Sequence, residues 1–256
     1  MGAATPIEGT KRTVSSERFD LLIFIGRPAS GKSEIIDYLK KIEIEERIRR
    51  FHVGSIDVID DFPLLWAWFE EDSILEQMGK PRLHTTEEGY FKYQWLWDVL
   101  IARMCLEYEK KNTRAVSPSE AVTTIIEFSR GLEHGGYERA FHHLCKDVLM
   151  DGAVLYVNVS YEESLRKNRK RFNPQVPESI LEHSLPDCKM EKLYRNCDWE
   201  QFSGPDPEYL RVKGVKIPFV VFENEDDVTS ERGEALGHRL ETVLSRLWAL
   251  HTRVTQ

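Results

Sequence analysis

Residues 21–33 read LLIFIGRPASGKS. An uninterrupted apolar run of strand length is the pattern of a strand buried on both faces of a parallel sheet. The next eight residues, Gly26-Arg27-Pro28-Ala29-Ser30-Gly31-Lys32-Ser33, fill the pattern GxxxxGK[ST] completely. They stand between a strand pattern and a helical one, which is the context the motif's mechanics require. The glycines let the backbone turn so that successive N–H groups point inward. The helix N-terminus behind them adds partial positive charge, and together they form a nest for phosphate oxygens. Lys32 is placed to reach the β- and γ-phosphates as a point charge, and the Ser33 hydroxyl to bind Mg²⁺.

This loop demands a fold in which parallel strands alternate with helices, and the rest of the chain supplies the pattern. Strands are expected over Leu21–Ile25, Phe51–Ile56, Ala121–Phe128, Ala153–Val159 and Ile217–Phe222. Helices are expected over Ser33–Arg50, Tyr137–Met150, Tyr161–Phe172 and Thr229–His251, with aromatic-rich helical sequence across 62–112 broken near Gly79 and Pro81. Five strands alternating with helices predict an α/β fold of three layers, helices covering both faces of a five-stranded, mainly parallel sheet. Residues 1–18 read as a flexible leader and 19–256 as a single domain. The stretch 166–208, whose proline-bearing part begins at 173, reads as a basic helix followed by a mobile insertion.

The bulk numbers agree with one large domain. The chain has 256 residues, enough for a substantial core. Its net charge of −8 weighs against a general nucleic-acid coat protein, though not against a local basic patch. Cys105, Cys145, Cys188 and Cys197 form no CxxC pair, which favours reduced thiols in the cytoplasm over a disulfide framework. The first twenty residues carry no apolar core of a secretory signal, and no run of about 18 apolar residues suggests a membrane span.

The motif in its context resembles the P-loop kinases of the nucleoside and nucleotide kinase group, adenylate kinase and its relatives. Residues 20–50 match best, with weaker echoes at 121–130, 154–171 and 217–228, about a third of the chain in all. The resemblance implies a P-loop NTPase fold with a helical acceptor-side insertion at 62–112 and a lid at 166–208. It also implies ATP and Mg²⁺ as cofactors, with the stretch Gly26–Glu34 holding the nucleotide. The run Glu127-Phe128-Ser129-Arg130 resembles the acid-Gly-Phe-Pro-Arg stretch of adenylate kinases, with Glu for Asp and one residue fewer. It makes Glu127 a holder of Mg²⁺ beside Ser33, and Arg130 a grip for an anionic acceptor. Arg166 and Arg169, one turn apart, fall where the family carries its lid arginines. Asn224 marks the loop bordering the adenine. No Asn-Lys-x-Asp guanine signature occurs.

On the acceptor side, Asp57, Asp60 and Asp61 follow the second strand. A carboxylate there can act as base toward a hydroxyl or hold metal, or else cap the helix that opens near Pro63. Asp57 is the better candidate for base if the strand ends at Ile56. Asp60, Arg82, Tyr93 and Arg130 are candidate acceptor contacts, with His84 and Tyr90 near them. Tryptophans 66, 68, 95 and 97 serve core packing or base stacking. His183, Cys188, Cys197 and Asp198 lie in the lid, but the paired CxxC spacings of lid zinc sites are missing. The expected activity is ATP- and Mg²⁺-dependent phosphoryl transfer to a small molecule, nucleoside or nucleotide first, by a monomer or homodimer. A kinase acting on polynucleotide ends or tRNA and a non-catalytic nucleotide-binding regulator are the alternatives.

Overall fold

The computed structural model describes residues 17–114, 121–171 and 184–255. In chain order the first half comprises β1 (Leu21–Gly26), α1 (Lys32–Lys40), α2 (Ile44–Phe51), β2 (Ser55–Asp60), α3 (Phe62–Gln77), α4 (Trp95–Arg114) and β3 (Val122–Phe128). A short 3₁₀ turn at Leu132–His134 leads to α5 (Gly136–His143), α6 (Lys146–Asp151), β4 (Gly152–Asn158) and α7 (Tyr161–Arg171). The chain ends with α8 (Asp187–Tyr194), α9 (Trp199–Ser203), β5 (Tyr209–Val212), β6 (Val215–Glu223), α10 (Val228–Glu231) and α11 (Glu234–Thr255).

The sheet has six strands in the order β2-β3-β1-β4-β6-β5. The first five in that order run parallel, and only β5 is antiparallel to its neighbour β6. The expectation of five strands is corrected by β5. Its signal is a Lys213-Gly214 turn between Tyr-Leu-Arg-Val and Val-Lys-Ile. Both turn residues have positive φ, 50° and 81°, the geometry of a two-residue hairpin.

Burial on both faces explains the unbroken apolar strands. Leu21, Ile23 and Ile25 point into one core, with Ile101 and Met104 of α4, Phe141 of α5 and Val148 of α6. Leu22 and Phe24 point into the other, with Ile35, Ile36 and Leu39 of α1 and Leu236, Leu240, Leu244 and Leu247 of α11. Strand alternation thus sends successive residues of β1 into two separate cores.

Several expected helices are two. The break between α1 and α2 is held by Arg47, whose buried guanidinium donates to the carbonyls of Leu39 (2.9 Å), Ile42 (3.2 Å) and Gly54 (2.9 Å). One guanidinium thereby ties the end of α1 to the turn that leads into β2. Because α2 continues to Phe51, the second strand starts later than expected, at Ser55, and ends at Asp60. Among the described residues no helix is long and apolar enough to cross a membrane.

Phe24 is fully buried in the core that joins β1 to α1 and α11. Phe24→Ala is expected to lower the unfolding free energy by about 3–5 kcal/mol. Val254→Ala, on the exposed end of α11, should change it by less than about 0.5 kcal/mol. Urea denaturation of the two variants beside the parent checks both figures.

Candidate active site

All five parallel strands bring their carboxyl ends to one edge of the sheet, where the loop 26–33 leaves β1. Two glycines make its path possible. Gly26 has φ +156°, and a Cβ there would stand 2.5 Å from the Val157 carbonyl oxygen. Gly31 has φ +114°, and a Cβ would stand 2.6 Å from Thr229 Oγ1 and 2.7 Å from Asn224 Nδ2. Ala29 also takes positive φ, 56°. The loop is fastened from outside. Ser164 Oγ donates to the Pro28 carbonyl at 2.7 Å, and Asn224 Nδ2 donates to the Ser30 carbonyl at 2.7 Å. Arg27 donates to the carbonyls of Val159 (2.9 Å) and Tyr194 (3.3 Å), tying the loop to the end of β4 and the last residue of α8.

Lys32 is buried inside the loop's curve. Its ammonium donates to the carbonyls of Gly26 (3.3 Å) and Arg27 (3.1 Å) and to Ser129 Oγ (2.9 Å), and lies 3.9 Å from Glu127 Oε1. Burial lowers its pKa and the nearby Glu127 opposes that shift. Ser33 Oγ donates to Glu127 Oε1 at 3.3 Å. Glu127 faces Asp60 across the parallel register of β3 and β2. Burial raises the Glu127 pKa against the pull of Lys32. The Asp60 carboxyl is pushed up to about 7 by burial, and further by Asp61 and Glu127. Lys32, Ser33, Glu127 and Asp60 therefore converge at one place.

Other candidates stand elsewhere. Asp57 sits three residues before the end of β2 and pairs with Lys111 at 2.7 Å. That puts it about 10 Å along the strand from Asp60, so the strand-end position belongs to Asp60. Arg130 is buried and bound to Asp61 at 2.5 Å, its guanidinium over the rings of Trp97 and Phe128. Arg82 binds Glu76 at 2.8 Å and Thr85 Oγ1 at 2.9 Å. Tyr93 is half exposed and stacked on Trp95. Asn224 is fully buried, bonded to the P-loop and to Thr229, so its side chain braces the loop rather than lining open space.

On α7, Arg166 pairs with Glu163 and Asp227, and Arg169 with Asp187. The arginine that turns toward the loop is Arg171, which donates to both oxygens of Glu34 at 3.1 Å. Burial alone would raise the Glu34 pKa, but Arg171 and Lys167 hold it below the usual value. Arg171 stood in the same basic run as Arg166 and Arg169, and no local spacing distinguished it. Its distinguishing partner is 137 residues away. His183 lies outside the described residues, and Asp198 accepts from the Tyr137 and Glu138 amides, capping α5.

The segment 62–92 is organised by Asp72. Fully buried on α3, it accepts hydrogen bonds from the amides of Leu83 (2.7 Å), His84 (3.0 Å) and Thr85 (2.5 Å) and from the Thr85 hydroxyl (2.6 Å). Burial alone would raise its pKa, yet the Thr85 hydroxyl and these amides hold the carboxyl well below the usual carboxylate range. A cavity of about 750 Å³ lies alongside, between α3 and residues 185–189.

No family model matches this chain, and no curated protein matches it significantly. Among solved structures, an unliganded sugar kinase from Janibacter sp. HTCC2649 is 16% identical. The alignment covers 91% of this chain and 98% of that one at a TM-score of 0.36. A shikimate kinase from Acinetobacter baumannii, in complex with shikimate, is 14% identical, with 69% and 76% covered and a TM-score of 0.30. At TM-scores this low neither neighbour informs on the chemistry of this chain.

A depressed folded pKa at Asp72 means stability that is present above the unfolded value near 3.8 and is lost as pH falls below it. Asp72→Asn should therefore be destabilised by about 1.5–3 kcal/mol at neutral pH. Its deficit relative to the parent should shrink as pH drops below about 4. Denaturant titrations of both proteins across that range measure the difference.

Proposed function

We propose that the chain is an ATP- and Mg²⁺-dependent phosphotransferase acting on a hydroxyl of an uncharged small molecule, in the manner of a P-loop kinase in the cytoplasm. The observation that carries this reading is the complete GxxxxGKS loop, folded between β1 and α1, with Lys32 and Ser33 turned toward the strand-end carboxylates Glu127 and Asp60.

The groups present fit a triphosphate and its metal. Ser30 Oγ is buried inside the loop beside Gly26, with no hydrogen-bond partner among the described residues. The Lys32 ammonium rests partly on main-chain carbonyls, which phosphate oxygens would replace with stronger, charge-assisted bonds. No group of three or more His, Cys, Asp or Glu among the described residues could hold a metal alone. An oxygen set of Ser33 with Glu127 suits Mg²⁺, which binds through few protein ligands and the nucleotide's phosphates. When bound, the ion would neutralise charge on the transferring group and keep the phosphates aligned.

The remaining roles belong to the chain's own side chains. The loop amides and the first turn of α1 hold the phosphates. Arg171, beside Glu34, is placed to neutralise the phosphoryl group as it moves. Asp60, the strand-end acid two residues before the cavity-lining Phe62, takes the acceptor's proton. A hydroxyl acceptor is favoured over a nucleoside monophosphate because Arg130, the candidate grip for an acceptor phosphate, is held in a buried pair with Asp61. A polynucleotide acceptor loses weight for the same kind of reason. The basic track it needs, 166–171 with Lys189, Lys192 and Arg195, has Arg166, Arg169 and Arg195 each paired with an acid.

Transfer from radiolabelled ATP to a panel of hydroxylated metabolites tests the reading. Lys32→Ala should abolish transfer. Arg171→Ala should lower kcat by about 10²–10³ with a smaller change in KM for ATP, while Arg169→Ala should stay within about threefold of the parent, since its partner Asp187 is exposed. ATP binding with no transfer to any acceptor would favour a non-catalytic regulator.

A further inference from the structure

We infer that the acceptor carries an elongated, uncharged apolar arm, which lies along α3 while its hydroxyl reaches Asp60. The inference rests on the kinase reading above and narrows its substrate class.

The first half of α3 reads FPLLWAWF, yet the one buried residue of its 16 is the carboxylate Asp72. A helix this apolar ordinarily packs its stripe into a core. Here Phe62, Leu65, Trp66, Phe69, Ser73 and Ile74 follow the i, i+3, i+4 rule and line one wall of the 750 Å³ cavity. The volume lies in the usual range for small-molecule sites. From Phe62 to Ile74 the wall runs about 18 Å.

The facing wall is a second, independently braced element. Asn168 holds Leu185 from both sides, donating to its carbonyl at 2.7 Å and accepting from its amide at 3.1 Å. Lys189, the one cation among the described residues that line the cavity, donates to the Gly89 carbonyl at 3.0 Å and lies over the Tyr90 ring. With that cation engaged and Glu70 in the same lining, an anionic occupant is disfavoured. The near end of the groove is formed by Phe62, whose amide donates to Asp60 Oδ1 at 3.0 Å, so the strand-end acid stands two residues from the groove's lining. An occupant meets mainly aliphatic and aromatic carbon along the groove, with Glu70 and Ser73 the polar side chains of the α3 wall. A polyol would leave its hydroxyls unpaired there, at a cost that favours rejection.

Calorimetric titration of the whole protein with glycerol, adenosine, benzyl alcohol, naphthylmethanol and geraniol tests this directly. Affinity should rise with the arm, by about fourfold per buried methylene, with a negative heat-capacity change. Ile74 is 55% exposed, so Ile74→Glu should fold. It should weaken the longer alcohols by about tenfold, and Leu65→Asp should act in the same direction. Tighter binding of glycerol or adenosine than of the apolar alcohols, or unchanged affinity in both variants, would overturn the inference. Adding MgATP separates it from the reading beneath it. Transfer confined to polyols or nucleosides sinks the apolar arm and keeps the kinase, whereas apolar alcohols that bind and are never phosphorylated sink the kinase and keep the groove's selectivity.

Discussion

The parallel register of β2, β3 and β1 forces Asp60 and Glu127 side by side at the strand ends, with a single buried ammonium, Lys32, near them. Asp61 does not share in that ammonium, because Arg130 takes it. Arg171, the other cation that acts on Glu127, is shared with Glu34. Burial first, and neighbouring carboxylates next, raise both carboxyl pKa values, Asp60 to about 7. A site that is short of positive charge and lined with oxygen is one in which a hard cation binds favourably. Lys32 meanwhile donates to the carbonyls of Gly26 and Arg27 and to Ser129 Oγ, which hold the ammonium inside the loop's curve.

Around this centre the loop is fixed by polar contacts more than by packing. Asn224 joins the Ser30 carbonyl to Thr229, Thr229 accepts from Lys167, and Lys167 pairs with Asp227, which also binds Arg166. The chain of contacts runs from the P-loop through the turn after β6 to α7. On the other side Arg27 fastens the loop to the backbone at Val159 and Tyr194. Buried networks of this kind specify one geometry when every member is satisfied. They also explain why Arg166, though on the basic helix, is occupied in structure while Arg171 is directed to Glu34.

What could be read from the sequence divides along the same line. The 26–33 loop is contiguous, so its eight residues declare both strand end and helix start, although its fastenings to Ser164 and Asn224 lie far along the chain. Glu127 was legible for a related reason, standing at the end of a β-branched strand. Asp60 over Asp57 was not, because the choice depends on where β2 ends. That in turn depends on Arg47 capping α1 and letting α2 run on to Phe51. Arg130 looked like an acceptor contact until the fold placed Asp61 and two aromatic rings around it. Asn224 and Arg171 act through partners 194 and 137 residues away, distances over which no spacing rule operates. The β5 hairpin was readable in principle, since Lys213-Gly214 carries turn chemistry, but its strand is only four residues long.

The acceptor side follows a different logic from the phosphate side. There the local structure is held by one buried carboxylate. Asp72 gathers three consecutive amides and a hydroxyl, and with them the whole 82–86 turn, at a single point on α3. An anchor of that strength frees the apolar residues of the same helix from the task of attaching it to the core. They can then remain half-covered without the segment coming loose. Partly exposed apolar carbon carries a continuing cost, and on α3 the buried Asp72 offsets part of it by holding the segment rigid. Charge-based anchoring and a carbon face that lines a cavity are thus two sides of one arrangement.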